Sequence, residues 1–349
     1  MSRLIPITVA NTRDEYANHL RARGMAPSTV KGHIQILNRW VTLMGDTKVS
    51  YIRPQHIDRF FGAAGWSPKT QNLYLSQIRA YFAWCRRMNY LDRAADPTEG
   101  WRAVRGESRE QFWLPPEEFA ALLDASDDPR DRAIIAIGMY TFLRGSEIAS
   151  LKIQDLDLTR NTLSVYRQKT KDADTLPVCE ELAVEMERWL RDYRKLMVFH
   201  QGLTPEWYLI PNRKGTVPVW DYEKKIVLSH RRNAELRPES RIRRPYEAVN
   251  RALRELGYDM KGTGAHTLRR SGARALFDRL RSEGYDGALR RVSAMLGHKD
   301  TKTTEVYLGL SLERLQRNEL LAGKPMFPAL QKQGGKVIPL REVDGGNGA

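Results

Sequence analysis

The spacing of apolar residues over the first hundred positions predicts a helical domain of four helices. The first covers residues 13–24, and the second begins at Pro27 and ends near Gly45. Pro54 begins a third helix. Ser67 followed by Pro68 is typical of a capping residue and the first helical position, so a fourth helix begins there. No strand pattern is evident in this part of the chain.

The fourth predicted helix carries an aromatic stripe on one face. Its members recur at helical spacing, which is more typical of a packed core than of a ligand site. They are Tyr74, Ile78, Tyr81, Phe82 and Cys85. Basic residues lie off this stripe, where each one either binds an anion or is simply solvated.

A polar stretch separates this domain from a second one of different pattern. We assign residues 1–96 to the helical domain, 97–111 to a linker, 112–322 to a second domain and 323–349 to a tail. The second domain begins with a helix at Leu114-Pro115-Pro116, followed by a helix from Asp131 whose apolar residues nearly surround it, as in a buried helix.

Alternating runs in the second domain predict a small antiparallel sheet between helices. Its strands are residues 151–158, 162–168 and 176–178. Helices follow at 180–196 and 245–256. Residues 229–244 hold six arginines and two glutamates, and we expect a DNA-facing or disordered loop there. The fold class is therefore mainly α, with a helical domain followed by a mixed α+β domain.

The charge balance points to a polyanionic partner. The net charge is +15 and the pI is near 9.8; residues 1–100 carry +7 and the remainder +8. A basic surface on both domains suits a clamp around a duplex. Only two cysteines, no signal peptide and no long apolar run lead us to expect a soluble, intracellular protein. Asp155 and Asp157 lack further ligands nearby, so we expect no metal site.

Several polar residues occur where a phosphate could be bound. Arg144 ends the apolar helix and has Glu147 three residues on, an ordinary ion pair or part of a site. Lys169 enters the predicted hairpin turn, where a lysine is either solvated or a proton donor. His266 and Arg269 share one face of a helix whose beginning favours an anion.

A last motif ends the series. Leu296-Gly297-His298 is followed nine residues later by Tyr307, one of fourteen tyrosines. Any one of these residues alone is more often structural. The occurrence of all these residues in this order along the chain is harder to explain by chance.

This ordered set resembles the tyrosine recombinases of the phage integrase family over nearly the whole chain. The segment 141–148 resembles the first arginine box, Lys169 eight residues before Pro177 the hairpin lysine, and His266-x-x-Arg269 the second box. Phe142 replaces a usual glycine, Thr267 a common aspartate, and Arg270-Ser271 a frequent His-Thr. Lys171 competes with Lys169 for the lysine position.

The resemblance implies a SAM-like core-binding domain, a recombinase catalytic domain and DNA cleavage without metal or other cofactor. Tyr307 would attack the phosphodiester, with His266 as base and Lys169 as acid for the leaving oxygen. Arg144, Arg269 and His298 would hold the phosphate, and Glu147 would support them. The products would be a 3′-phosphotyrosine and a free 5′-hydroxyl.

The same resemblance implies a homotetramer on two double-stranded DNA sites, with the tail docked on a neighbouring subunit. We expect DNA contacts from basic residues in both domains: Lys31, Lys69, Arg79, Arg241, Arg243 and Arg270. The expected setting is the cytoplasm of a bacterium or archaeon, on a phage or mobile element, with no separate arm-binding domain. The alternatives are a type IB topoisomerase and a non-catalytic DNA-binding regulator.

Overall fold

The chain forms two compact units, Met1–Arg109 and Glu110–Ala349. The computed structural model describes residues 4–63, 65–106, 112–167, 171–200, 202–221, 226–232, 235–259 and 263–310. None of the helices within these ranges is long and apolar enough to span a membrane. The predicted tail, residues 323–349, and Lys169 lie outside the described residues.

The first unit contains the four predicted helices. They are α1 (Arg13–Ala22), α2 (Pro27–Met44), α3 (Pro54–Gly62) and α4 (Pro68–Arg87). Proline occupies the first position of the last three, where its missing N–H has no intrahelical acceptor to lose. Ser67 caps α4, because its Oγ accepts a hydrogen bond of 3.4 Å from the backbone N–H of Thr70.

The aromatic stripe of α4 is core, as predicted. Ile78, Tyr81, Phe82 and Cys85 are all buried, and the Tyr81 hydroxyl is satisfied by the Thr12 hydroxyl at 2.7 Å. A buried phenol without such a partner would be costly. Each fully buried aromatic or aliphatic side chain contributes about 1.5–3 kcal/mol, so this single helix supplies much of the unit's stability.

Residues 101–104, assigned from sequence to the linker, are attached to the first unit. The Trp101 indole N–H donates to Asp58 at 2.8 Å, and its ring lies 4.8 Å from that of Phe61. Asn72 and Val104 exchange two hydrogen bonds of 2.9 and 2.8 Å. These contacts fix the chain where it leaves α4.

The second unit is built around one buried helix. Its helices are α5 (Phe119–Asp124), α6 (Pro129–Thr141), α7 (Gly145–Ile148), α8 (Glu180–Leu196), α9 (Tyr246–Glu255), α10 (Ala265–Ser282), α11 (Ala288–Leu296) and α12 (Thr301–Tyr307). Helix α6 packs against α5, α8, α9 and α10. Its residues 133–139 are buried on every side, which confirms the prediction from its unbroken apolar sequence.

A three-stranded antiparallel sheet lies beside these helices, in the order β1 (Leu156–Asp157), β2 (Thr162–Arg167), β3 (Asp172–Pro177). The predicted first strand over 151–158 is wrong for most of its length. Residues Ile153–Asp155 form a 3₁₀ turn, because the Asp155 carboxylate accepts from the Lys152 N–H at 2.8 Å and closes the chain locally.

The predicted loop over residues 229–244 is also wrong. Strands β4 (Pro211–Arg213), β5 (Thr216–Asp221), β6 (Ile226–Arg232) and β7 (Leu236–Arg241) form two antiparallel pairs, β4–β7 and β5–β6. Of the residues of β7, only Leu236 is buried. Backbone hydrogen bonds between the strands hold such pairs together. Their arginine-rich sequence does not show the apolar alternation from which a strand is predicted.

A separate apolar cluster joins α10, α11 and α12. Phe142, Phe277, Val292, Leu296 and Leu308 are its principal members, and all are buried. Arg269 lies on α10, Tyr307 ends α12, and His298 lies on the turn between α11 and α12, so this cluster sets the positions of three predicted site residues.

Candidate active site

Arg144 and Glu147 form a rigid pair at the end of α6. The Glu147 carboxylate accepts from the Arg144 backbone N–H at 2.7 Å and from its Nη1 at 2.8 Å. Glu147 is 1% exposed, whereas the Arg144 side chain retains 21% exposure. This ion pair therefore stabilises the local fold and also holds the Arg144 guanidinium with part of its surface exposed to solvent.

Arg269 lies behind this pair, in the second turn of α10. Its guanidinium is 1% exposed and donates to the backbone carbonyls of Phe142 and Leu296, the latter at 2.7 Å. The Glu147 carboxylate is 3.9 Å away, so one buried carboxylate lies between two arginines. Burial lowers the pKa of Arg269 to about 10, which still leaves it charged at neutral pH.

Phe142 supplies one of those carbonyls from an unusual backbone. Its φ of +56° is left-handed, a conformation that suits the glycine usual at this position. Its ring is buried, and a Cβ at Gly272 would lie 2.7 Å from it. The absence of a side chain at Gly272 therefore makes room for the Phe142 ring. Burial of that ring offsets the strain of the Phe142 backbone.

Tyr307 ends α12 and packs against His298. The two rings are 5.5 Å apart and nearly perpendicular, and the Arg269 guanidinium lies 5.9 Å from the phenol ring. His298 is held by a 2.8 Å hydrogen bond between Nδ1 and the hydroxyl of Thr304, which is fully buried. This contact fixes the orientation of the His298 ring beside the phenol.

His266 borders the phenol at the beginning of α10. The Tyr307 hydroxyl donates to the His266 carbonyl at 3.5 Å, a weak contact that a stronger acceptor could replace. Partial burial lowers the pKa of His266, and the charges of Arg269, Arg270 and Arg144 lower it further. Its imidazole is therefore neutral at pH 7 and able to accept a proton.

Burial also raises the pKa of the Tyr307 phenol, while the neighbouring arginines act in the opposite direction. The nucleophile candidate therefore stays protonated until a base removes its proton. These arginines and a histidine donor could stabilise the charge of an anion bound here. The phenol would lie next to that anion as a nucleophile.

The structure brings together six of the seven predicted site residues that carry chemistry: Arg144, Glu147, His266, Arg269, His298 and Tyr307. The seventh, Lys169, lies outside the described residues. Thr267, in place of aspartate, is fully buried and accepts from the Gly264 N–H at 3.0 Å, which stabilises the beginning of α10.

The predicted DNA contacts are surface residues. Lys31, Lys69, Arg79, Arg241 and Arg243 are exposed, and Arg270 is half-buried beside Arg269. Arg79 donates to the Trp101 carbonyl. Among the described residues, no group of three or more histidine, cysteine, aspartate or glutamate side chains is placed to hold a metal ion.

Sequence reasoning missed Arg167. It follows Leu163 and Val165 at the inward positions of β2, where a charged residue breaks the apolar alternation. That break in the alternation is the sequence signal that could have identified Arg167 as a residue of interest. The side chain is buried at 3% exposure and reaches the carbonyl of Met295, next to the Gly297-His298 motif.

Comparison with known proteins agrees with this fold. The phage integrase family matches residues 113–314, and the N-terminal SAM-like domain of phage integrases matches residues 14–89. Tyrosine recombinase XerC of Pseudomonas syringae pv. syringae is 27% identical, over 86% of this chain and 92% of that protein. Tyrosine recombinase XerD of Staphylococcus epidermidis is 24% identical, over 87% and 95%.

Solved structures show the same fold at lower identity. A lambda integrase dimer bound to a COC′ core site superimposes with a TM-score of 0.63 at 17% identity, over 87% of this chain and 77% of that one. XerH bound to a palindromic difH substrate superimposes with a TM-score of 0.59 at 18% identity, over 90% and 85%.

The fold and the site together define a DNA strand transferase with a tyrosine nucleophile. The chain belongs to the phage integrase family, because that family's pattern covers more than half of it. It is a tyrosine-type site-specific recombinase, and the predicted fold class, a SAM-like helical domain followed by a mixed catalytic domain, is confirmed.

Proposed function

We propose that this recombinase cuts and rejoins DNA through a covalent 3′-phosphotyrosine on Tyr307. The observation that carries the proposal is the position of the phenol, with Arg269 over its ring, His298 packed against it and the backbone carbonyl of His266 at its hydroxyl. A phosphodiester bound there would meet cationic donors and a nucleophile at the same time.

The proposed step balances as a transesterification. The Tyr307 oxygen attacks phosphorus, its proton passes to His266, and the bond from phosphorus to the 5′ oxygen breaks. Lys169 supplies a proton to that leaving oxygen. Arg144 and Arg269 hold the non-bridging oxygens, which forked guanidinium groups do better than ammonium groups. The phosphotyrosine retains the bond energy, so religation needs no ATP.

Glu147 has the supporting role in this scheme. Its carboxylate neutralises part of the charge of two arginines that would otherwise repel each other in a buried site. With one carboxylate for two guanidinium groups, the site retains an excess positive charge for the phosphate.

We further propose a homotetramer acting on two double-stranded DNA sites, because strand exchange requires four strands to be cut in pairs. A lambda integrase tetramer bound to a Holliday junction shares this fold with a TM-score of 0.59. Integration of a phage or mobile element is the role we favour, in the cytoplasm where host DNA lies. Deleting residues 324–349 should impair assembly or deregulate cleavage; an unchanged tetramer with unchanged activity would refute docking of the tail.

The DNA contacts proposed for Lys31, Lys69, Arg79, Arg241, Arg243 and Arg270 have a quantitative test. Each phosphate contact that is removed should lower the slope of log binding constant against log salt by about 1, with little change in sequence preference. An unaltered slope would remove that residue from the interface.

The test of the chemistry uses nicked suicide duplexes, which lose a short fragment on cleavage and trap the adduct. Since the site is not specified by the sequence, a pool with randomised half-sites is incubated in EDTA, and the protein–DNA adduct is isolated under denaturing conditions. Wild type should give an adduct and Tyr307→Phe none. Tyr285→Phe, an exposed tyrosine, is the matched control and should behave as wild type.

The two alternatives give different results in the same assays. Relaxation of any supercoiled plasmid without a site-dependent product would favour the type IB topoisomerase. Specific DNA binding with no adduct on any member of the pool would favour the non-catalytic regulator and defeat the catalytic proposal.

A further inference from the structure

Arg167 is a buried cation at the end of β2 that the proposed chemistry does not use. It is 3% exposed, and a guanidinium at such a position costs several kcal/mol unless its N–H groups are bonded. Two of the partners of its side chain lie on two different elements.

The first partner is within the hairpin. Nε and Nη2 both donate to one oxygen of Asp174 on β3, at 2.8 and 2.6 Å. Asp174 stands two residue pairs along the ladder from the strand end, opposite Val165. This ion pair orients the guanidinium across the sheet.

The second partner is the end of α11. Nη2 also donates to the carbonyl of Met295 at 2.9 Å, one of the last carbonyls of that helix. Such carbonyls lack an intrahelical donor and favour a cation. Arg167 therefore links the β2–β3 hairpin to the helix that ends immediately before His298.

Gly297 shows how close this contact is. Its φ is +62°, and a Cβ placed there would lie 2.6 Å from Nη1 and 2.7 Å from Cζ of Arg167. The turn is closed by a 3.0 Å hydrogen bond from the His298 N–H to the Ser293 carbonyl. Only glycine meets both the left-handed backbone and the guanidinium at this position.

We infer that Arg167 is a positioning residue for His298: it supports the Gly297-His298 turn from the hairpin side so that the imidazole meets the phosphate. This inference rests on the proposed function, since it assigns a cause to the placement of one of its groups. Thr304 fixes the ring of His298 from one side, and Arg167 fixes the backbone that carries it from the other.

The test measures single-turnover cleavage of a suicide duplex selected by the wild type. Arg167→Met with Asp174→Asn removes the ion pair without leaving an unpaired carboxylate. Arg167→Lys keeps the charge but can reach fewer acceptors. Arg160→Met, an exposed arginine on the β1–β2 turn, is the matched control. We expect the double variant to cleave about 10- to 100-fold more slowly, the lysine variant to be intermediate, and DNA affinity to change less than threefold.

A double-mutant cycle separates positioning from general structural support. In a His298→Gln background, the Arg167→Met/Asp174→Asn change should slow cleavage less than threefold, because the group it positions is gone. The same 10- to 100-fold loss in both backgrounds would overturn the inference, as would unchanged cleavage by the double variant.

A second readout does not depend on activity. The imidazole Cε1–H signal of His298, assigned with the His298→Gln variant, should shift in the double variant and not in Arg160→Met. An unshifted signal would also overturn the inference. Failure of the proposed function has a different signature: wild type and Arg160→Met would then form no adduct.

Discussion

Replacing Glu147 with glutamine should damage both stability and cleavage. The carboxylate accepts two hydrogen bonds from Arg144, at 2.7 and 2.8 Å, and lies 3.9 Å from Arg269. The amide keeps the shape and one acceptor but removes the carboxylate that lies between these two arginines. Breaking a buried pair costs about 3–5 kcal/mol, and because the amide retains one bond we expect about 3 kcal/mol.

The measurements follow from that magnitude. In a domain of this size, 1 kcal/mol shifts the melting temperature by about 2–4 °C, so Glu147→Gln should melt about 6–12 °C lower. If the same energy is lost in holding the transition state, single-turnover cleavage at saturating DNA should fall about a hundredfold.

Glu185→Gln provides the control. Glu185 on α8 accepts two hydrogen bonds of 2.7 Å from Arg132 on α6, outside the site. Its replacement should also lower the melting temperature, by less than Glu147→Gln because Arg132 keeps Asp124 at 2.7 Å, and should leave cleavage, measured well below that temperature, within threefold of wild type. Equal loss of cleavage in both variants, or wild-type cleavage by Glu147→Gln, would refute the role given to Glu147.

Three further predictions concern single residues. Phe142→Gly relieves left-handed strain of about 1–2 kcal/mol but removes a buried phenyl group worth about 3–5 kcal/mol, so thermal melting should show a net loss of about 2 kcal/mol; a stabilised variant would contradict this. Gly309→Ala puts a Cβ 2.5 Å from Trp113 at a φ of +64°, so it should destabilise the turn after Tyr307 and slow adduct formation. The control Gly24→Ala, at a φ of +70° in open space, should lower the free energy of unfolding by only about 1 kcal/mol and leave cleavage intact. Equal effects of the two substitutions would contradict the clash. Because the pKa of His266 is lowered from 6.5, the unfolded chain takes up a proton that the folded chain resists, so stability should fall as the pH drops below 6.5. The cleavage rate should fall only at lower pH, where the folded imidazole becomes protonated. His266→Asn should flatten both falls, so an unchanged pH dependence would contradict the assignment.

The helices were predictable because their signals are local. Proline and serine at helix beginnings and apolar residues at helical spacing fixed α4 and the other helices of the first unit, and the unbroken apolar run of α6 predicted its burial. The strands of residues 226–232 and 236–241 were not predictable in the same way. Their arginine-rich sequence resembles a solvated loop, and backbone pairing of β6 with β5 and of β7 with β4 decides their conformation.

The site was partly predictable for a related reason. The three-residue spacing of His266 and Arg269 predicted that they share one helix face. The order of the motifs identified His298 and Tyr307 as further site residues. The partners of those residues were not visible. Thr304 lies only six residues from His298, but the motif gives no sign of their contact. The Phe142 and Leu296 carbonyls on Arg269, and Gly272 beside the Phe142 ring, follow from chain packing across long sequence separations.

By itself, the sequence determined which residue types are available for the chemistry and on which helices they lie, since composition, periodicity and short motifs depend only on near neighbours. The tertiary structure alone decided that one carboxylate, Glu147, lies between two arginines, and that a buried Arg167 links the hairpin to the turn before His298. Those arrangements depend on charges that are buried together, and burial is a property of the packed chain.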